Sequence, residues 1–177
     1  MELTLFQNDI SVSAKVKLAK KGDKEAFQSL IWENKDSMYR IAKTILTVEA
    51  DIEDAISEAV LKAYINLQTL KNNKYFKTWL FRILINECNT IHRKKSKEII
   101  DPNVLKGTTF NENFQNFEVK DAVNTLDDSL KTLVVLYYYE DLTIREISSL
   151  MDIPEGTIKT RLSKARHKLY QLLKEEK

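Results

Sequence analysis

Between Asp141 and Leu173 the sequence reads DLTIREISSLMDIPEGTIKTRLSKARHKLYQLL, and from Lys159 to Lys168 no acidic residue interrupts its cations. Apolar residues at Ile158, Leu162, Ala165, Leu169 and Leu172 recur at helical spacing. With that stripe inward, Thr160, Ser163, Lys164 and His167 point outward, flanked by Lys159, Arg161, Arg166 and Lys168. Such a helix can lie in a DNA major groove, with its early side chains at base edges and its flanking cations on phosphates. The alternative is a solvated basic face on a core helix.

A second group starts at Asn72-Asn73-Lys74 and continues through Tyr75, Phe76, Trp79 and Phe81, ending in the basic run Arg93-Lys94-Lys95. Aromatics at these spacings cannot all face one core, so some are expected at the surface. Exposed rings beside cations suit the stacking of unpaired bases with phosphate support. Equally, Phe76, Trp79 and Leu80 could be core and the cations a solubilising helix end. A third group is acidic: Asp51, Glu53, Asp54 and Glu58 fall in the first two turns of a predicted helix. Acids are favoured there by the helix dipole, at about 0.3–1 kcal/mol each. They could as well form a docking face for a basic partner.

Helices must position all three groups. Ile144, Ile147, Leu150 and Met151 mark a short helix ahead of the basic one, and Asp152-Ile153-Pro154 breaks the two apart. Asp tolerates the left-handed backbone, Pro154 keeps Ile153 extended, and proline near a helix start leaves no useful N–H missing. Two helices joined so tightly, with Ile153 beneath, form a helix-turn-helix.

Upstream, a polar lead-in precedes a helix over about Ala14–Lys20, which stops at Gly22, and Asp23 offers an N-cap for the next. Phe27, Leu30, Ile31, Asn34, Met38, Ile41, Ala42 and Ile45 then mark a long helix with Trp32 and Tyr39 near its edge. Ile52, Ala55, Ile56, Ala59, Ala63, Leu67 and Leu70 form the stripe of the acidic segment. Residues 98–117 carry Pro102, Gly107 and several Asn and Thr without a period, which reads as a flexible linker. Its scattered Phe110, Phe114 and Phe117 suggest transient docking onto a partner. Helical spacing resumes at Val119, Ala122, Val123 and Leu126, then at Leu130, Leu133, Val134 and Tyr137, which is expected in the core.

The whole chain limits these readings. With 177 residues, 3 Gly and 2 Pro, it suits an all-α protein of two small domains. A net charge of +2 confines nucleic-acid affinity to local patches. Cys88 is alone, which excludes a disulfide framework and fits a reducing cytoplasm and a buried structural thiol. No secretion signal and no run of about 18 apolar residues appears, so a cytoplasmic protein without membrane insertion is expected. No carboxylate pair, metal-ligand cluster, nucleophile setting or Gly-rich phosphate loop suggests catalysis. Neither metal nor cofactor is expected.

Three segments, residues 51–64, 75–97 and 126–173, together resemble bacterial sigma-70-type initiation factors, and the lack of an intermediate domain resembles the compact extracytoplasmic-function (ECF) subgroup. The resemblance implies a lead-in at 1–14, a region 2-like domain at 15–97, the linker, and a region 4-like helix-turn-helix domain at 118–177. It implies core RNA polymerase (clamp helices and flap), promoter DNA and an anti-sigma factor as partners. On the residues matched, Asp51, Asp54 and Glu58 fall on the polymerase-docking helix. Asn73, Tyr75, Phe76, Trp79, Arg82 and Asn86 fall in or beside the region that captures the melted minus-ten strand, with Arg93 and Lys94 in the basic run behind. Thr157, Lys159, Thr160, Arg161, Ser163 and Lys164 match the helix that reads the minus-thirty-five element, and Arg166 extends its basic face. Ser57 stands at the usual Gln, Asp127-Asp128 at the usual Leu-Pro, where an Asp cap would serve, and Asp152 at the common turn Gly. The rival class is a dimeric helix-turn-helix repressor or activator that acts on duplex DNA without polymerase.

Overall fold

The computed structural model describes residues 11–98, 123 and 125–175; the expected linker, Val119 and Ala122 lie outside them. The described residues form helices and turns, with no strand among them. Helix α1 spans Val12–Lys20, α2 Lys24–Lys43, α3 Glu49–Asn66 and α4 Phe76–Glu98. The second domain holds α5 (Asp128–Val134), α6 (Ile144–Met151) and α7 (Glu155–Glu175).

Local chemistry explains the breaks. Ser11 caps α1, and the chain leaves it through Gly22 at φ +98°, a conformation that costs a residue without Cβ little. One residue later Asp23 accepts from the Ala26 N–H at 2.9 Å and starts α2. Helix α3 has no side-chain cap at Val48, and Glu49 and Asp51 favour its first turn through the dipole instead. Its Ala55, Ala59 and Ala63 are fully buried at i, i+4 spacing, and such small side chains let α4 pack closely along it. Leu67 and Leu70 continue that buried set, but from a 3₁₀ turn at Leu67–Thr69 and the residue after it, since the helix stops at Asn66.

In the second domain α5 widens into a π-helical turn at Val135–Tyr139. Tyr137 packs at the core's edge, and Tyr138 and Tyr139 are exposed. Helix α6 starts in a capping box: the Thr143 hydroxyl accepts from the Glu146 N–H, and the Glu146 carboxylate accepts from the Thr143 N–H at 2.9 Å. It ends at Asp152, whose φ of 57° and ψ of 44° are left-handed as expected. Ile153 and Met151 pack against the core from the turn, and Ile147, Leu150, Ile158 and Leu162 are buried.

Two expectations are corrected. Trp32 is 70% exposed, well outside the core's edge, with the Lys35 ammonium 3.6 Å from its ring centre. Asp127 stands at the N-cap of α5 but makes no side-chain cap; its carboxylate instead faces Lys168 at 3.2 Å. A cation within reach outcompetes the backbone N–H for an exposed carboxylate.

The two domains touch. One apolar core runs from α1–α4 into Leu133, Val135, Leu136, Leu142, Ile147 and Leu150, while Val123, Leu126, Leu130, Val134 and Ala165 form a smaller core of the second domain. Helix α6 packs on α4.

Candidate nucleic-acid interface

Helix α7 shows the simplest geometry. Ile158, Leu162 and Ala165 are buried, which fixes the rotation of the helix. Lys159, Thr160, Ser163, Lys164 and Arg166 are consequently exposed, and Thr157 and Arg161 are half-buried at its flanks. Lys159, Arg161, Lys164 and Arg166 make no ion pair with the described residues, so their charges are available to an anion. Lys168 differs, being held by Asp127. The Thr160 hydroxyl donates back to the Gly156 carbonyl at 2.9 Å, which uses its proton and leaves it able to accept.

The aromatic group on α4 divides. Tyr75, in a 3₁₀ turn capped by Asn72, is 55% exposed. Phe76, the next residue, is 0% exposed. That corrects the expectation that Phe76 captures a base: a ring enclosed on both faces offers none for stacking, and it packs instead against Trp79 with centroids 6.0 Å apart. Phe81 is also fully buried and Trp79 half-buried. Arg82, Asn86, Arg93 and Lys94 are exposed along the helix, and Asn73 is half-buried with its amide donating to the Ser13 carbonyl at 3.4 Å. Tyr75 and Arg82 thus lie near one another at the start of α4, with the remaining cations further along.

On α3, Asp54 and Glu58 are exposed, and Glu58 pairs at 3.4 Å with its helical neighbour Lys62, which lies closer, at 2.7 Å, to Glu87 of α4. Asp51 is not equally open, because Lys95 of α4 sits 2.7 Å from it. Exposed Leu61 and Ile65 lie further along α3 and were missed; an apolar residue breaking a polar face is the signal that marks them. Cys88 is buried and its thiol is pushed up to about 12 by that burial, which makes it an inert packing group. Among the described residues no cluster of His, Cys, Asp or Glu could hold a metal ion. No described helix is long and apolar enough to cross a membrane.

A helical domain with an acidic helix and a cationic aromatic edge, joined to a helix-turn-helix domain, defines a two-domain DNA-binding protein. Family models for Sigma-70 region 2 and Sigma-70 region 4 match residues 30–98 and 116–169. The chain is 30% identical to the ECF RNA polymerase sigma factor SigW of Bacillus subtilis, across 94% of this chain and 99% of that one. It is 27% identical to the RNA polymerase sigma factor SigV of the same organism, across 89% and 97%. The chain belongs to the ECF sigma factors. A solved complex of the sigma factor RpoE with the anti-sigma factor NepR from Bartonella quintana shares the fold at a TM-score of 0.71 and 22% identity, covering 85% of this chain and 98% of that one. A complex of CnrH with the cytosolic domain of CnrY does so at 0.69 and 20%, covering 94% and 99%.

Proposed function

We propose that this sigma factor docks core RNA polymerase through Asp54 and Glu58 on α3, with Asp51 in a secondary role. It holds the upstream promoter duplex on Thr157, Lys159, Thr160, Arg161, Ser163, Lys164 and Arg166. It captures the melted strand with Tyr75, supported by Asn73, Arg82, Asn86, Arg93 and Lys94. The observation that carries this is the row of exposed cations on α7 that are unpaired with described residues, opposite a fully buried apolar stripe.

Magnitudes explain why such a protein works with polymerase. Opening DNA forfeits about 1.4 kcal/mol of stacking per base-pair step, and an aromatic platform returns roughly 1–3 kcal/mol per captured base. With Phe76 enclosed, Tyr75 is the principal exposed ring at this edge, so capture holds about one base and further strand contacts must come from the enzyme. The protein acts in the cytoplasm, as an initiation factor without catalysis of its own. An anti-sigma factor is a natural further partner, since RpoE, which shares this fold, was solved with the anti-sigma factor NepR bound.

The test is transcription from a linear promoter by core polymerase with and without the purified chain. New start sites that depend on the chain are expected. Co-elution failing together with repression of a duplex target would assign the protein to the dimeric repressor class instead.

A further inference from the structure

A cleft of about 780 Å³ beside α6 gathers positive charge that the described residues do not neutralise. Lys71, Tyr75, Trp79 and Arg82 line one wall, and Arg145, Glu146 and Ser149 of α6 line the other. Its volume falls within the range of about 300–1,000 Å³ typical of small-molecule sites, and domain boundaries are a preferred place for them.

Rings and charge follow one another along the first wall. Tyr75, Trp79 and Arg82 stand at i, i+4 and i+7, so two aromatic side chains and then a guanidinium run about 10 Å along one helical face. Opposite them, Arg145 and Ser149 are both exposed and share a face of α6 at i and i+4. Lys71, Arg82 and Arg145 make no ion pair with the described residues. The one carboxylate among the lining residues, Glu146, is held at the start of α6, where it accepts from the Thr143 N–H at 2.9 Å and the Thr143 hydroxyl at 2.7 Å. One anion therefore faces three cations.

Like charges on opposite walls favour an anion between them, but cations as exposed as these hold one only weakly by charge alone. The rings supply the rest. Tyr75 is 55% exposed and Trp79 half-buried, and their faces offer a planar base a stacking surface. A guanidinium fork matches phosphate oxygens, and the Ser149 hydroxyl beside Arg145 is available to a sugar hydroxyl. A base joined to a phosphate uses both features of the cleft; inorganic phosphate uses only the cations, and an uncharged aromatic compound only the rings.

We propose that this cleft binds a free mononucleotide, its base against Tyr75 and Trp79 and its phosphate between Arg82 and Arg145. The site goes beyond the strand-capture reading, because half of it lies on the helix-turn-helix domain and its ligand is a small molecule. It therefore survives or fails separately from that reading.

The experiment titrates the full chain with ADP and with GDP and follows tryptophan fluorescence. The chain has two tryptophans, and a Trp32→Phe background leaves Trp79 as the reporter. Saturable quenching by at least one nucleotide is expected; quenching that rises linearly with both overturns the proposal. In that background Arg145→Gln and Arg82→Gln should each weaken binding about tenfold, and Tyr75→Ala at least about fivefold, with melting temperatures unchanged. Affinity unchanged in both arginine variants overturns the proposal. Pyrophosphate, measured by its displacement of the nucleotide, should bind at least about fivefold more weakly, and equal affinity would reduce the cleft to an anion patch. A short oligothymidylate that binds as tightly with the same dependence on Arg145 would make it a strand site and equally overturn the proposal. Arg145→Gln should leave capture of a single-stranded minus-ten oligonucleotide by polymerase holoenzyme unchanged. If Tyr75→Ala weakens nucleotide binding yet leaves that capture intact, the strand-capture reading falls and the nucleotide site stands.

Discussion

Helices α4 and α7 are each cationic on one side and apolar on the other, yet they divide those sides differently. In α7 the division is clean: Ile158, Leu162 and Ala165 are buried, and Lys159, Lys164 and Arg166 stand in solvent unpaired with described residues. In α4 the two are interleaved. Phe76 and Phe81 serve the core, Tyr75 just ahead of the helix serves the surface, and Lys77 and Lys95 are already held by Glu140 and Asp51. Reading a duplex requires a stiff helix and free cations, which a periodic sequence supplies directly. Capturing an unpaired base requires exposed aromatic area, and that competes with the core for the same residue types.

The largest effect should separate neighbours in α4. Phe76→Ala removes a fully enclosed ring and is expected to destabilise the fold by about 3–5 kcal/mol. Tyr75→Ala should leave the melting temperature nearly unchanged and instead weaken capture of a single-stranded minus-ten oligonucleotide by holoenzyme, by roughly 1–3 kcal/mol. Thermal melts and strand binding on both variants check this. Equal melting temperatures would break the division drawn between the two rings.

On α7 the expected losses are smaller and of another kind. Lys159→Ala and Arg161→Ala should each weaken upstream-duplex binding for all sequences and flatten the salt dependence by about one unit per phosphate contact removed. Fluorescence titration at several salt concentrations reads the slope. A slope unchanged in both variants would make these cations solvating groups and erase the contrast with α4.

The same contrast sets what the sequence could reveal. The helix-turn-helix was legible because Asp152-Ile153-Pro154 imposes one backbone solution and the flanking stripes have a single period; Asp152 is left-handed and Ile158 is buried accordingly. The Asp23 cap and the buried Cys88 were legible for similar local reasons. Phe76 was not, because adjacent aromatics at a helix start carry no period that tells inside from outside. Glu140 was hidden more deeply. An acid after three tyrosines reads as surface, and its burial depends on Arg40, a hundred residues away in sequence. Trp32 misled in the opposite direction, since a large ring near an apolar stripe suggests burial, whereas its neighbour Lys35 shields it at the surface. The capping box at the start of α6 is also written in the sequence, as Thr143 followed three residues later by Glu146.

The smallest expected effect concerns a cation that serves neither DNA surface. Lys131 of α5 is 2% exposed, and burial pushes its ammonium below the usual lysine range, with Asp128 at 3.9 Å offsetting part of that. A base whose folded pKa is depressed destabilises the fold in full at pH values below that pKa, where both states are charged. As pH rises from the depressed value toward the ordinary lysine value of about 10.4, the folded protein releases the proton first and the penalty disappears. Lys131→Met should therefore raise the melting temperature by about 2–4 °C at pH 7, corresponding to about 1 kcal/mol. The advantage should shrink in melts taken at increasing alkaline pH. An advantage that persists at pH 10 would mean that Met gains by packing rather than by removing charge. A lower melting temperature at pH 7 would show that Lys131, unlike the exposed cations of α7, is held by contacts worth more than its desolvation.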